Sequence, residues 1–248
     1  MISTFLFQNY VAMFHQATVP TSSAVILSHG FPSQPFEDPK LEKNWDLAQM
    51  VNDNLGVDSF LMHYSGLGKS HGEFSFLESV QDSLKLSREI QARFKYDRIH
   101  LIGHSWGGLI TMNIYAALPV ALRGAVVLLS PFTIFPDDEV LEAILREIDE
   151  ESDIPYRYPT MEAVVADFQS VKHEHSPIQL VDTHGFRGDR FMILQAQNDG
   201  AVPEENTRRF VSRFSTPPVY EEVQTDHKFL VDRDMWLSMI IKFLREQG

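Results

Sequence analysis

The stretch His100 to Ile110, HLIGHSWGGLI, sets one serine between a strand-like run and a helix-like run, with glycines at Gly103, Gly107 and Gly108. A serine displayed on a sharp strand-to-helix turn needs small residues two before and two after it, because backbone and neighbouring elements crowd there. Gly103 and Gly107 meet that demand. Upstream, RIHLI reads as a strand; downstream, Leu109, Met112 and Ala116 fall on one helical face. A helix N-terminus behind Ser105 supplies N–H groups and a partial positive charge that favour a developing oxyanion. The same G-x-S-x-G pattern alone describes a phosphate-binding or merely tight glycine turn, so its meaning rests on the flanking chain.

Outward from this turn the chain alternates strand and helix. SAVILSHG is a short apolar run ending at glycine, as expected of a strand buried on both faces. LEKNWDLAQMVNDNL carries Leu41, Trp45, Ala48 and Val51 along one helical face. VDSFLMHYSG, RGAVVLLSPF, DRFMILQAQND and PVYEEVQTDH read as strands. FSFLESVQDSLKLSREIQARF, PEENTRRFVSRF and MWLSMIIKFLREQ read as helices, and WGGLITMNIYAAL as one stopped before Pro119. The N-terminal STFLFQNYVAMFHQ predicts one or two antiparallel strands at a sheet edge. Such alternation implies an α/β fold class: a mostly parallel central sheet with helices on both faces. Between about Thr133 and Arg187 it gives way to helical, acidic and aromatic sequence. The expected organisation is therefore a core of residues 1–132 and 188–248 with an inserted helical cap at 133–187 covering the crevice at the strand ends.

Composition excludes several classes. Of 248 residues, 44% are hydrophobic and 22% charged, which is ordinary globular usage. Asp and Glu outnumber Lys and Arg by 34 to 21, and the net charge of -13 repels nucleic acid and anionic membranes. No apolar run is long enough to span a bilayer, and MISTFLFQNY lacks the features of a signal peptide, so a cytoplasmic location is expected. The absence of cysteine fits a reducing compartment and removes disulfides, thiolate chemistry and thiolate-rich zinc sites.

A serine hydroxyl needs a base, and the base an orienting carboxylate. ILQAQNDGAVP ends a strand just before Asp199, and VQTDHKFL ends the next strand just before His227. Alone, the first is an ordinary turn aspartate and the second a surface histidine. Together, following a serine elbow in the order Ser105, Asp199, His227, they complete one known triad arrangement. Asp226 is the rival acid, but neighbours on an extended segment point to opposite sides. An oxyanion hole takes the N–H of Trp106, next after the serine, and a second N–H from the loop after an early strand. SHGFPS fits that loop: the N–H of Phe31 is a donor, and Pro32 has none.

At HGFP, YSGLGKSHGEF, GHSWGG, NDGAVP and DHKF, in that order, the chain resembles the α/β-hydrolase superfamily over nearly its whole length outside the cap. The Gly66 to Gly72 stretch is similar to that of the serine aminopeptidase and cinnamoyl-esterase-like branch. The resemblance implies Ser105 as nucleophile, His227 as base, Asp199 as orienting acid, and Phe31 and Trp106 as oxyanion donors. It implies a serine esterase, thioesterase or amidase acting on a small-molecule substrate with neither metal nor organic cofactor. An aminopeptidase, an acyltransferase and a non-catalytic binding protein of the same fold are the alternatives.

Other motifs point elsewhere and are weaker. GLGKSHG evokes a phosphate loop through Gly68, Lys69 and Ser70, but His63 stands where that motif requires glycine. The histidines of HEH, His173 and His175, do not share a helix face and read as a solvated turn rather than a metal site. The acidic run PDDEVLEAILREIDEESD reads as the solvated side of an amphipathic helix before it reads as a trap for a cationic group. Phe132, Phe135, Tyr156, Tyr158, Met161 and Phe168 line an acyl pocket or form the cap's own core, and the pattern is the same for both.

Overall fold

The computed structural model describes residues 2–6, 10–31, 43–66, 70–72, 74–151 and 160–247. Leu41, the side chain of Trp45, Pro32, Gly68, Lys69, Tyr156 and Tyr158 lie outside what is described.

Among the described residues, eight strands form one sheet in the order β1-β2-β4-β3-β5-β6-β7-β8. β1 (Ile2–Leu6) and β2 (Val11–His15) are antiparallel at one edge. From β4 (Asp58–His63) through β3 (Ser23–Ser28), β5 (Arg98–His104), β6 (Arg123–Leu129), β7 (Phe191–Asn198) and β8 (Val219–Asp226), every neighbouring pair is parallel. The apolar runs are continuous because both faces of the sheet are covered. In β6, Val126 and Leu128 join one core while Ala125, Val127 and Leu129 join the other, following the period of two of a strand.

α2 (Phe76–Arg93), α3 (Trp106–Ala117) and α7 (Glu204–Val211) feed the first core, and α1 (Lys43–Leu55) with α8 (Arg233–Glu246) feed the second. α1 contributes Leu47, Ala48 and Val51, spaced as one helical face. α8 contributes Trp236, Leu237, Ile240, Ile241 and Leu244.

Among the described residues, three helices lie between β6 and β7: α4 (Asp138–Glu151), α5 (Met161–Glu174) and α6 (Pro177–His184). α5 packs on α2, α6 on α3, and α4 on α5. α5 buries Val164, Phe168 and Val171, one stripe at helical spacing. The HEH segment is solvated at His173 and Glu174, as expected, but it closes α5 and its C-cap rather than forming a turn. His175 is docked on α3 through Asn113, whose amide oxygen meets its Nδ1 at 2.8 Å. Among the described residues, no helix is long and apolar enough to cross a membrane.

Candidate active site

β5 ends at His104 and α3 begins at Trp106, so Ser105 turns the chain alone. It does so at φ 53° and ψ -120°, a sparsely populated region that a side-chain-bearing residue keeps only where its surroundings over-determine it. The restraints are backbone bonds. The Ser105 N–H donates to the Leu129 carbonyl at 3.0 Å, and the Ser105 carbonyl accepts the Gly108 and Phe132 N–H groups, both at 2.8 Å. Glycine provides the necessary room. A Cβ at Gly107 would stand 2.0 Å from the Ser28 carbonyl oxygen, and one at Gly103 would stand 2.4 Å from the Gly107 oxygen. Both obstacles are backbone atoms, which no rotamer change relieves.

Asp199 and His227 directly follow the residues that pair across β7 and β8, Asn198 with Asp226, so the register brings them side by side. Ser105 is farther away, because three inter-strand steps of about 4.8 Å separate β8 from β5. The turn after β8 folds back to close that gap. Phe229 N–H bonds the Asp226 carbonyl at 2.9 Å, and Leu230 N–H bonds Asp226 Oδ1 at 3.1 Å, so this acid is engaged by the turn. His104 Nε2 meets the His227 carbonyl at 2.7 Å, which makes that nitrogen the donor.

In this position His227 Nε2 is 3.0 Å from Ser105 Oγ, and Nδ1 is 2.9 Å from Asp199 Oδ2. A carboxylate partner fixes the proton on Nδ1 and leaves Nε2 to accept from the serine hydroxyl. The second oxygen of Asp199 accepts Ala201 N–H at 2.9 Å and Val202 N–H at 2.7 Å. Burial, the largest single influence, pushes this carboxyl up. The hydrogen bond and charge of His227, the Ser130 hydroxyl and the Val202 N–H outweigh it and hold the group below the usual carboxylate range.

Phe31 and Trp106 flank the serine. A Cβ on Gly30 would lie 3.0 Å from Ser105 Cβ, so the His29–Phe31 loop lies against the elbow. Its His29 carbonyl accepts the Tyr64 hydroxyl at 2.7 Å, and its Gly30 carbonyl meets His29 Nδ1 at 2.6 Å. Trp106 is the first residue of α3, where the N–H has no carbonyl within its own helix. Its indole donates to Ser79 Oγ at 3.0 Å, which pins the ring to α2.

Sequence reasoning missed three supporting residues. His104 holds the His227 turn, the Ser130 hydroxyl helps keep the Asp199 carboxylate ionised, and buried Gln195 donates to the Val202 carbonyl at 3.2 Å while accepting the Thr207 hydroxyl at 2.6 Å. A polar residue at the end of an apolar strand was the available signal. Among the described residues, no group of three or more His, Asp or Glu could hold a metal ion.

This architecture is shared widely. The chain belongs to the α/β-hydrolase family: the model of the alpha/beta hydrolase fold matches residues 23–151, just over half its length. Solved structures agree in fold at low identity. An esterase of Pyrococcus furiosus, Pf2001, superposes with a TM-score of 0.72 at 14% identity, covering 100% of this chain and 92% of its own. Est1E from Butyrivibrio proteoclasticus, solved with ferulic acid bound, gives 0.70 at 18% identity over 96% and 95%. A monoacylglycerol lipase of Paleococcus ferrophilus gives 0.68 at 16% identity over 99% and 100%. No curated protein matches the chain in sequence.

Proposed function

We propose that this protein is a serine hydrolase that cleaves a carboxylic ester, thioester or amide of a small substrate through an acyl-enzyme. The hydrogen-bonded series Ser105, His227, Asp199 on a strained elbow carries this reading. His227 Nε2 takes the Ser105 proton as Oγ attacks the substrate carbonyl, and Asp199 holds the ring and stabilises the imidazolium. The N–H groups of Phe31 and Trp106 receive the tetrahedral oxyanion. The protonated His227 then gives its proton to the leaving alcohol, thiol or amine, and the acyl group stays on Ser105. Water, deprotonated by the same Nε2, releases the acid and restores the serine.

The His227 side chain is 21% exposed, so solvent reaches the base, which favours hydrolysis over acyl transfer. Half-buried Phe31, Phe132 and Phe135 supply apolar surface around the elbow and favour an apolar acyl group. Esterase and lipase neighbours of the same fold are consistent with that class. In this proposal residues 133–187 act as the cap, the reaction needs no metal or organic cofactor, and the cysteine-free chain works in the cytoplasm. A fluorophosphonate probe should label the native protein at Ser105 and leave Ser105→Ala unlabelled. Absence of labelling in the native protein would overturn the assignment.

A further inference from the structure

α5 is joined to the core by a carboxylate as well as by apolar packing. Asp167 accepts the Ser75 hydroxyl at 2.9 Å, the Leu77 N–H at 3.3 Å and the Phe76 N–H. Those groups belong to the N-cap and first two residues of α2, where the helix cannot satisfy its own N–H donors. Ser75 Oγ simultaneously accepts the Glu78 N–H at 3.0 Å, so a side chain from α5 completes a cap begun within α2. Among the described residues, no Lys, Arg or His side chain forms an ion pair with Asp167. The positive end of α2 and its N–H groups are what the carboxylate faces.

The next residue transmits that anchor to the elbow. The Phe168 ring centroid lies 5.0 Å from that of Phe76, 5.9 Å from Trp106, 5.8 Å from Phe132 and 4.9 Å from Phe135. Trp106 adjoins Ser105 in the chain, and the Phe132 N–H holds the Ser105 carbonyl. α5 is thus located by Asp167 along α2 and by Phe168 against the residues beside Ser105.

We propose that Asp167 is a latch that sets α5 on the α2 N-terminus and thereby, through the buried ring of Phe168, positions the partly exposed Phe132 and Phe135 near Ser105, a positioning residue for selecting apolar acyl groups. Selection of a substrate rests on the serine-hydrolase reading; the latch itself does not. The triad atoms are fixed by strand ends, so loosening α5 alters the apolar wall and leaves the chemical step in place.

Two measurements on Asp167→Ala test this. Hydrogen exchange should rise about tenfold or more in residues 161–174 and at the start of α2, as follows from losing bonds to a charged acceptor. With p-nitrophenyl octanoate, KM should rise by about fivefold or more while kcat holds, and the acetate ester should be unaffected, the pattern of lost uniform binding. Asp167→Asn, which keeps a neutral acceptor oxygen, should fall between and carries the test if the alanine variant does not fold. Unchanged exchange, or equal losses on both esters, would overturn the latch. A native protein that hydrolyses neither ester and resists the fluorophosphonate overturns the hydrolase reading instead, and the exchange measurement still decides the latch.

Discussion

The strand ends and α5 approach Ser105 from different parts of the chain and are held by different kinds of bond. At the strand ends the restraints are largely backbone to backbone: Ser105 to Leu129 and Phe132, Ser130 to Leu194, and the β7–β8 register that sets Asp199 beside His227. α5 is held through side chains: Asp167 on the α2 N-terminus, Phe168 among aromatic rings, and His175 on Asn113, which returns a bond to the His175 carbonyl at 3.0 Å. Backbone bonds persist through most substitutions, whereas a side-chain bond is lost with its residue. The molecule therefore separates a geometry that the fold fixes from a surface that single substitutions can change, as expected of a fold that hosts many specificities.

The strongest break in this comparison removes chemistry without moving structure. Ser105→Ala should cost roughly 10⁶ in kcat while the melting transition stays in place, because no fold-determining bond uses Oγ. Asp199→Asn should cost about 10⁴ in kcat, since the amide favours the wrong histidine tautomer. At α5 the balance reverses. Phe168→Ala removes a buried ring and should lower stability by about 3–5 kcal/mol in urea denaturation, with the elbow still labelled by a fluorophosphonate below the transition. If Phe168→Ala abolished labelling of folded protein, the two regions would not be separable.

This division also explains what was legible in the sequence. Ala24, Ile26 and Val25, Leu27 alternate between two cores within one apolar run, and such runs followed by helical spacing announced a parallel sheet. Asp199 and His227 were readable because each directly follows a strand, and Gly107 because its steric demand is local. The contacts of α5 were not readable. Asp167 in AVVADFQSV looks like any acid on an amphipathic helix, and its partners are about 90 residues away. The docking of His175 on Asn113 spans 62 residues and leaves no mark on local periodicity. The apolar residues of this group divide only in three dimensions: Phe168 is core, whereas Phe132, Phe135 and Met161 are half-exposed.

His104 tests the strand-end side more finely. Its bond to the His227 carbonyl spans 2.7 Å and steadies the turn that crosses β6 and β7. His104→Ala should lower kcat by about 10- to 100-fold with KM little changed, the scale expected of a misplaced base. An unchanged kcat would show that the turn holds itself through Asp226 and Phe229.

The smallest effect separates the two regions by titration. Burial pushes His29, in the loop that follows β3, and His100, in β5, down to about 4, and the Arg98 and Arg190 charges act in the same direction at His100. The unfolded chain binds these protons near the ordinary histidine value of 6.5, so between about pH 4 and 6.5 it holds more protons than the native state and stability falls as pH falls. Each histidine contributes a slope that approaches, at most, about 1.4 kcal/mol per pH unit in the middle of that window. Asp199 acts in a lower window: its native value is depressed, so the stability it contributes is present above the ordinary aspartate value of 3.8 and lost as pH falls through the native one. His175 on α5 is also lowered by burial, with Glu174 opposing. His100 Nδ1 accepts the Ala125 N–H at 3.0 Å, so His100→Asn retains an acceptor there while removing the titration. Urea midpoints from pH 4.5 to 7.5 should flatten in His100→Asn by that slope and flatten less in His175→Asn. Equal flattening would mean that α5 excludes solvent from its histidine as effectively as the sheet does, and that its side-chain anchoring is no looser than the strand ends.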